Sequence, residues 1–144
     1  MQTFLDKNIP NIATSRHVAR EIFELFLQHQ KHFTLFLEGG LGVGKTFMVQ
    51  QMLTHFGHND FAGSPTYTYV HQYTGKTQSI NHFDFYRFTD SSEFFAKGFL
   101  ELVEDPEYSH FVEWPEKISS EAKQSFGGKK FVLTIKHGIG AGMR

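Results

Sequence analysis

The sequence contains no cysteine, and tryptophan, arginine and proline are scarce. Without cysteine the chain has neither disulfides nor thiolate metal ligands, which is typical of proteins from a reducing compartment. No apolar run approaches the roughly 20 residues that span a bilayer, and the N-terminus lacks a basic segment followed by an apolar one. The formal net charge of −1 argues against a protein that coats nucleic acid electrostatically. These absences predict a cytoplasmic protein.

The length of 144 residues predicts one domain, residues 1–144, because a chain of this size buries roughly two thirds of its unfolded surface in a single core. Phenylalanine is abundant, at 17 residues, and we expect it to fill that core. Basic residues cluster toward the C-terminus: Lys123, Lys129, Lys130, Lys136 and Arg144. We interpret them as solvated surface, with a docking face for RNA or an acidic partner as the alternative.

The most informative stretch is FTLFLEGGLGVGKT, from Phe33 to Thr46. It fits G-x-x-x-x-G-K-[ST] between an apolar strand and a helix, the pattern of a loop whose backbone N–H groups surround phosphate oxygens. Lys45 would supply a positive charge to the β and γ phosphates, and Thr46 a hydroxyl to Mg²⁺. The residues predicted to contact the nucleotide along this loop are Gly40, Leu41, Gly42, Val43, Gly44, Lys45, Thr46 and Phe47.

The remaining patterns alternate between strand and helix. Thr14 or Ser15 is expected to cap a first helix, and the helix after Lys45 is expected to end at Gly57. From Tyr67 to Asp84 the apolar period is 2 around a Gly75-Lys76 turn, which predicts an antiparallel hairpin. Strands are also predicted at residues 109–112 and 131–135. The fold class is therefore a three-layer α/β domain with a mixed sheet and an antiparallel hairpin insert.

A phosphate-binding loop needs an acid near Mg²⁺, at the end of a strand beside the loop strand. Asp84 ends a strand in HFDFYR, and Glu113 ends another in HFVEWP, and spacing does not choose between them. Ser64-Pro65-Thr66 is a candidate switch, because two hydroxyls beside a rigid proline can reach Mg²⁺ or a γ-phosphate oxygen.

The loop, SPTYTYV, HFDFYR and VEWPEKI in this order make the chain resemble the TsaE family, bacterial ATPases of the tRNA threonylcarbamoyladenosine pathway. The resemblance implies a P-loop fold, slow Mg²⁺-dependent ATP hydrolysis, and a complex with TsaB and TsaD through which tRNA is modified. It implies catalytic roles for Lys45, Asp84 and Glu113, with Thr46 and Glu113 binding Mg²⁺ and Asp84 assisting them. It also implies a switch containing Ser64 and Thr66, and a segment near Thr14 beside the adenine.

One position departs from the family pattern. The family's loop usually reads G-D-L-G-x-G-K-T, and its acidic position is Gly40 in this chain. This chain therefore has no carboxylate at that position of the loop.

Trp114 is the only tryptophan, and it has two interpretations. Pro115 turns the chain just past Glu113 and can direct the indole toward the nucleotide base or the switch. In the other interpretation, Trp114 fills the core beneath the last strand.

The alternative function is a small P-loop nucleotide or metabolite kinase. Such kinases surround the transferred phosphoryl group with several arginines, whereas this chain has only Arg16, Arg20, Arg87 and Arg144. Of these, only Arg87 lies in a candidate catalytic motif. A GTPase is a third interpretation, but the chain has no N-K-x-D stretch to select guanine.

Overall fold

The structure is a computed structural model, and it describes residues 2–8, 12–29, 32–40, 44–75 and 78–136. Strands and helices alternate along most of the chain, as the sequence predicts. In chain order the elements are β1 Gln2–Asn8, α1 Ile12–His29, β2 Phe33–Glu38, α2 Lys45–His55, β3 Val70–Tyr73, β4 Ser79–Asp84, α3 Glu93–Ala96, α4 Leu100–Glu104, β5 Tyr108–Glu113, a 3₁₀ helix Pro115–Lys117, α5 Ser120–Ser125 and β6 Lys129–Lys136.

The six strands of the described residues form one mixed sheet in the order β1-β6-β2-β5-β4-β3. Every neighbouring pair is parallel except β3 and β4, which are antiparallel. The predicted mixed sheet and hairpin insert are therefore confirmed. Because β2, β5 and β4 are consecutive and parallel, their carboxyl ends lie side by side at one edge of the sheet, where α/β folds bind ligands.

Helices cover both faces of the sheet, and each face has its own apolar cluster. On the face of α1 and α2, Phe26 stacks on Phe33 with ring centroids 4.1 Å apart and packs on Phe131 at 4.8 Å. On the other face, Phe83 and Phe126 meet edge to face at 5.5 Å. Burial of one such ring stabilises the folded state by about 1.5–3 kcal/mol. Most of the largest fully buried side chains are phenylalanines, so phenylalanine is the main core filler, as expected.

One predicted helix boundary is wrong and another is confirmed. Helix α1 begins at Ile12, so Thr14 and Ser15 lie within its first turns and neither has the non-helical backbone of a capping residue. Helix α2 ends as expected before Gly57, whose φ of 92° is a left-handed conformation that favours glycine. In the described part of the chain, no helix combines the length and the apolar character that a bilayer crossing requires.

Candidate nucleotide-binding site

A cleft of about 340 Å³ opens at the carboxyl edge of β2, β5 and β4. It collects residues from four separate parts of the chain, which are the loop and first turn of α2, the switch segment, the end of β4 and the end of β5. The lining residues are Gly40, Gly44, Lys45, Thr46, Phe47, Ser64, Thr66, Asp84, Tyr86, Glu113 and Trp114. Most of the residues predicted from the sequence are thus brought together here.

Gly44 directs the chain from the loop into α2. Its φ is 96°, a conformation in which a side chain would be strained, and the N-terminus of α2 opens toward the cleft. Leu41, Gly42 and Val43, also predicted to contact the nucleotide, lie outside the described residues. Thr14 lies within α1, and nothing in the structure tests its predicted place beside the adenine.

Gly40 has room for a side chain. A Cβ built on it meets no atom within 4 Å, and its φ is not in the left-handed region. The family's usual acid at this position is therefore not excluded by sterics within the described residues.

Lys45 is buried at the mouth of the loop, with only 5% of its surface exposed. Its ammonium donates hydrogen bonds to the carbonyl oxygens of Gly39, at 2.5 Å, and Gly40, at 3.1 Å. It also lies 3.8 Å from the centre of the Trp114 ring, a cation–π distance. Burial lowers the pKa of Lys45 below its usual value, while the carboxylates of Glu113, Glu116 and Asp84 oppose that shift. An ammonium that has lost most of its water makes strong charge-assisted hydrogen bonds, so Lys45 is suited to bind phosphate.

Thr46 and Glu113 are in direct contact across the cleft. The Thr46 hydroxyl donates to both carboxylate oxygens of Glu113, at 3.0 and 3.1 Å. This contact exists because β5 pairs with β2, which places Glu113 beside Leu37 at the end of the loop strand. Glu113 is therefore the acid on the strand next to the loop strand β2, a choice between Asp84 and Glu113 that residue spacing left open.

Asp84 lies one strand further along and holds the switch segment. Its Oδ2 accepts hydrogen bonds from Ser64, at 2.9 Å, and Thr66, at 2.8 Å, and its Oδ1 accepts one from the backbone N–H of Tyr86. The two hydroxyls also contact each other at 2.7 Å. Asp84 and Glu113 are register partners in β4 and β5, so both carboxylates face the same cleft.

Trp114 lines the cleft, and its partly buried indole also packs against the apolar cluster on the α3 face. Its backbone is left-handed, with φ 59° and ψ 50°, immediately after β5 and before Pro115. This turn places the indole against Lys45 and 4.9 Å from the ring of Tyr86. Arg87 instead lies over the ring of Tyr67, at 4.7 Å, and is not among the described residues that line the cleft.

The Thr46 hydroxyl and the Glu113 carboxylate fit Mg²⁺ better than a metal that takes all its ligands from protein side chains. Within the described ranges, no group of three or more His, Asp and Glu side chains could hold a metal ion. Mg²⁺ at nucleotide sites typically takes one or two carboxylates together with phosphate oxygens and water, and the Thr46 hydroxyl with the Glu113 carboxylate matches this set.

Sequence reasoning missed two residues of the site. His82 is fully buried and contacts Glu113, and Tyr86 lines the cleft. The period of 2 in the hairpin offered a signal for His82, because a residue two positions before Asp84 lies on the same face of the strand.

Comparisons with known proteins match most of the chain to one family. The model of the family "Threonylcarbamoyl adenosine biosynthesis protein TsaE" matches residues 9–139. The tRNA threonylcarbamoyladenosine biosynthesis protein TsaE of Haemophilus influenzae is 32% identical over 115 residues, which cover 78% of this chain and 72% of the relative. The protein of the same name from Borreliella burgdorferi is 34% identical over 100 residues, covering 69% and 70%. The crystal structure of Bacillus YdiB superimposes with a TM-score of 0.60 over 87% of this chain and 74% of YdiB; at 20% identity this shows a shared fold alone, a P-loop NTPase-like domain.

Proposed function

Because the chain belongs to the TsaE family, we propose that it is a Mg²⁺-dependent ATPase of tRNA N6-threonylcarbamoyladenosine biosynthesis. We propose that it turns over slowly, and that its nucleotide state regulates a complex of TsaB and TsaD homologues through which tRNA is modified. The whole chain, residues 1–144, would act as one cytoplasmic domain.

The observation that carries this proposal is the contact between Thr46 and Glu113. A hydroxyl at the first turn after a phosphate-binding loop and a carboxylate from the neighbouring strand are the two protein ligands that hold Mg²⁺ in P-loop nucleotide hydrolases. In this chain they meet at 3.0 Å beside a buried lysine. A glycine-rich turn without a nucleotide would not require a buried cation and two buried acids at the same edge.

Each residue has a defined part in hydrolysis, in which water attacks the γ phosphorus and the bond to the ADP oxygen breaks. The ammonium of Lys45 binds oxygens of the β and γ phosphates, exchanging the loop carbonyls for charged acceptors. Thr46 and Glu113 would hold Mg²⁺, which when bound offsets the charge that develops on the phosphate oxygens. Asp84 supplies a second carboxylate at the same edge.

The switch segment is the proposed link to the partners. Ser64 is exposed and Thr66 partly exposed, and both hydroxyls donate to the Asp84 carboxylate. These hydroxyls can exchange Asp84 for a γ-phosphate oxygen, so the segment would have one arrangement with ATP and another after hydrolysis. A surface that changes with nucleotide is suited to regulate a protein complex.

A phosphoryl-acceptor assay separates this proposal from the kinase alternative. The protein is incubated with Mg²⁺-ATP alone and with a panel of nucleosides, nucleotides and small metabolites, and phosphate release and acceptor phosphorylation are both measured. We expect water to be the acceptor in every case. An acceptor phosphorylated much faster than water would establish a kinase.

A pull-down tests regulation. The tagged protein is mixed with purified TsaB and TsaD homologues in the presence of ATP, ADP or no nucleotide. Capture that depends on the nucleotide supports the proposal. Equal capture in all three conditions would contradict a regulatory role while leaving ATP binding intact.

A further inference from the structure

His82 is a buried partner of Glu113 for which the mechanism above gives no role. Its side chain is fully buried on β4, and its Nε2 lies 2.6 Å from Oε2 of Glu113. The ring of Phe61 packs alongside the imidazole, with centroids 6.3 Å apart. Among the described residues, the Nδ1 atom of His82 has no hydrogen-bond partner.

These contacts indicate which ring nitrogen carries the proton. A buried N–H without an acceptor is rarer and more costly than a buried acceptor without a donor. The unpaired Nδ1 is therefore the bare nitrogen, and Nε2 carries the proton that His82 donates to Glu113.

The contact also removes an ambiguity in the orientation of Glu113. Thr46 contacts both carboxylate oxygens at nearly equal distances, so it does not determine which oxygen faces the loop. His82 contacts Oε2 alone, and it does so from a strand in fixed register with β5. With Oε2 engaged, Oε1 is the oxygen left to face the cleft.

We propose that His82 is a positioning residue that orients the Glu113 carboxylate for Mg²⁺ by donating from Nε2 to Oε2. This inference rests on the proposed function. Ligating carboxylates are commonly held by such outer hydrogen bonds, whose loss lowers metal affinity roughly 10- to 100-fold. The role requires a hydrogen-bond donor at the Nε2 position.

The test compares two substitutions of His82 with a matched control. His82→Leu removes the donor, whereas His82→Gln retains an N–H donor near the position of Nε2. His110→Leu also replaces a fully buried imidazole of the same sheet, but its ring packs on Phe83 and Phe126 and not on the cleft. The measured quantity is the affinity for a fluorescent N-methylanthraniloyl ATP, by anisotropy, with Mg²⁺ and with EDTA.

We expect His82→Leu to reduce the gain in affinity that Mg²⁺ provides by about tenfold or more, with little change in EDTA. His82→Gln should recover most of that gain, and His110→Leu should retain all of it. Equal losses with Mg²⁺ and EDTA in His82→Leu would indicate a merely structural residue, and a His82→Gln variant as impaired as His82→Leu would exclude the donor. Either result overturns the inference.

Two further results keep the outcome decisive. Should His82→Leu fail to fold, ¹H–¹⁵N NMR of the wild type, with the His82 signal identified by its loss in His82→Gln, should show a proton on Nε2 and none on Nδ1. A bare Nε2, with the ring proton on Nδ1 alone, would overturn the inference. A wild type whose ATP affinity does not respond to Mg²⁺ would refute the proposed function and this inference together, whereas a Mg²⁺ response that survives in His82→Leu refutes the inference alone.

Discussion

Lys45→Met should weaken ATP binding strongly without weakening the fold. Methionine keeps an unbranched apolar stem beside Trp114 but removes the ammonium, which is the proposed phosphate-binding group. A hydrogen bond to a charged group contributes roughly 1.5–3 kcal/mol, so the affinity for ATP should fall on the order of 10- to 100-fold.

The expected effect on folding follows from two opposing contributions. The substitution removes the hydrogen bonds that Lys45 donates to the carbonyls of Gly39 and Gly40, each of which contributes about 1 kcal/mol. It also removes a buried cation, and burial lowers the pKa of Lys45 because the charged form is disfavoured there. The free energy of unfolding should therefore change little, by about 1 kcal/mol in either direction.

The assay pairs urea unfolding with titration of Mg²⁺-ATP for the wild type and two variants. Lys97→Met is the matched control, because Lys97 is exposed and its ammonium lies 4.7 Å from the centre of the Tyr69 ring, so the same change of charge and side chain occurs outside the cleft. ATP affinity of Lys45→Met within twofold of the wild type would remove the loop from the mechanism. An unfolding free energy lower by more than about 3 kcal/mol would assign Lys45 a structural role instead.

Three further predictions concern other parts of the molecule. Glu113→Gln should lower Mg²⁺-dependent ATP turnover more than it lowers ATP binding in EDTA; normal Mg²⁺-dependent turnover would move the metal role to Asp84. Replacing the switch hydroxyls, with Ser64→Ala and Thr66→Val together, should make capture of TsaB and TsaD homologues independent of nucleotide while ATP still binds, and capture that still follows the nucleotide would refute the switch. Burial lowers the pKa of His110 to about 3, from an ordinary 6.5. Stability from this group is therefore full above pH 6.5 and declines as the pH falls toward 3, by about 2 kcal/mol between pH 7 and pH 5. Urea unfolding of His110→Leu should lack that part of the wild-type decline, and equal declines in both proteins would contradict the assignment.

Much of the fold was predictable because its signals are local. The glycine-rich loop lies between an apolar strand and a helix in consecutive residues, and the change of period to 2 marks the hairpin of β3 and β4. Gly57 ends α2 because its left-handed backbone is a property of that residue and its neighbours. The start of α1 was not predictable in this way: Thr14 is a good capping residue, yet α1 begins at Ile12, since the packing of the whole domain routinely overrides local preferences.

The candidate site is less local, and the sequence left its central question open. Asp84 and Glu113 each end a strand, and no spacing says which strand pairs with β2. The fold decides this, because β5 lies between β2 and β4, so Glu113 contacts Thr46 while Asp84 reaches the switch hydroxyls. The Thr46–Glu113 contact joins residues 67 positions apart, and local sequence patterns do not predict contacts between residues so far apart in the chain.

The sequence by itself determined the candidate phosphate-binding loop, the alternation of strands and helices, and the set of polar residues proposed to bind a nucleotide, because each depends on neighbours in the chain. Only the tertiary structure decided which of these residues contact each other. The hydrogen bond from His82 to Glu113 exists because β4 and β5 pair in one register, and the left-handed turn at Trp114 brings its indole onto Lys45. Strand pairing and packing depend on the whole sheet, so distances between side chains from different strands are properties of the folded molecule.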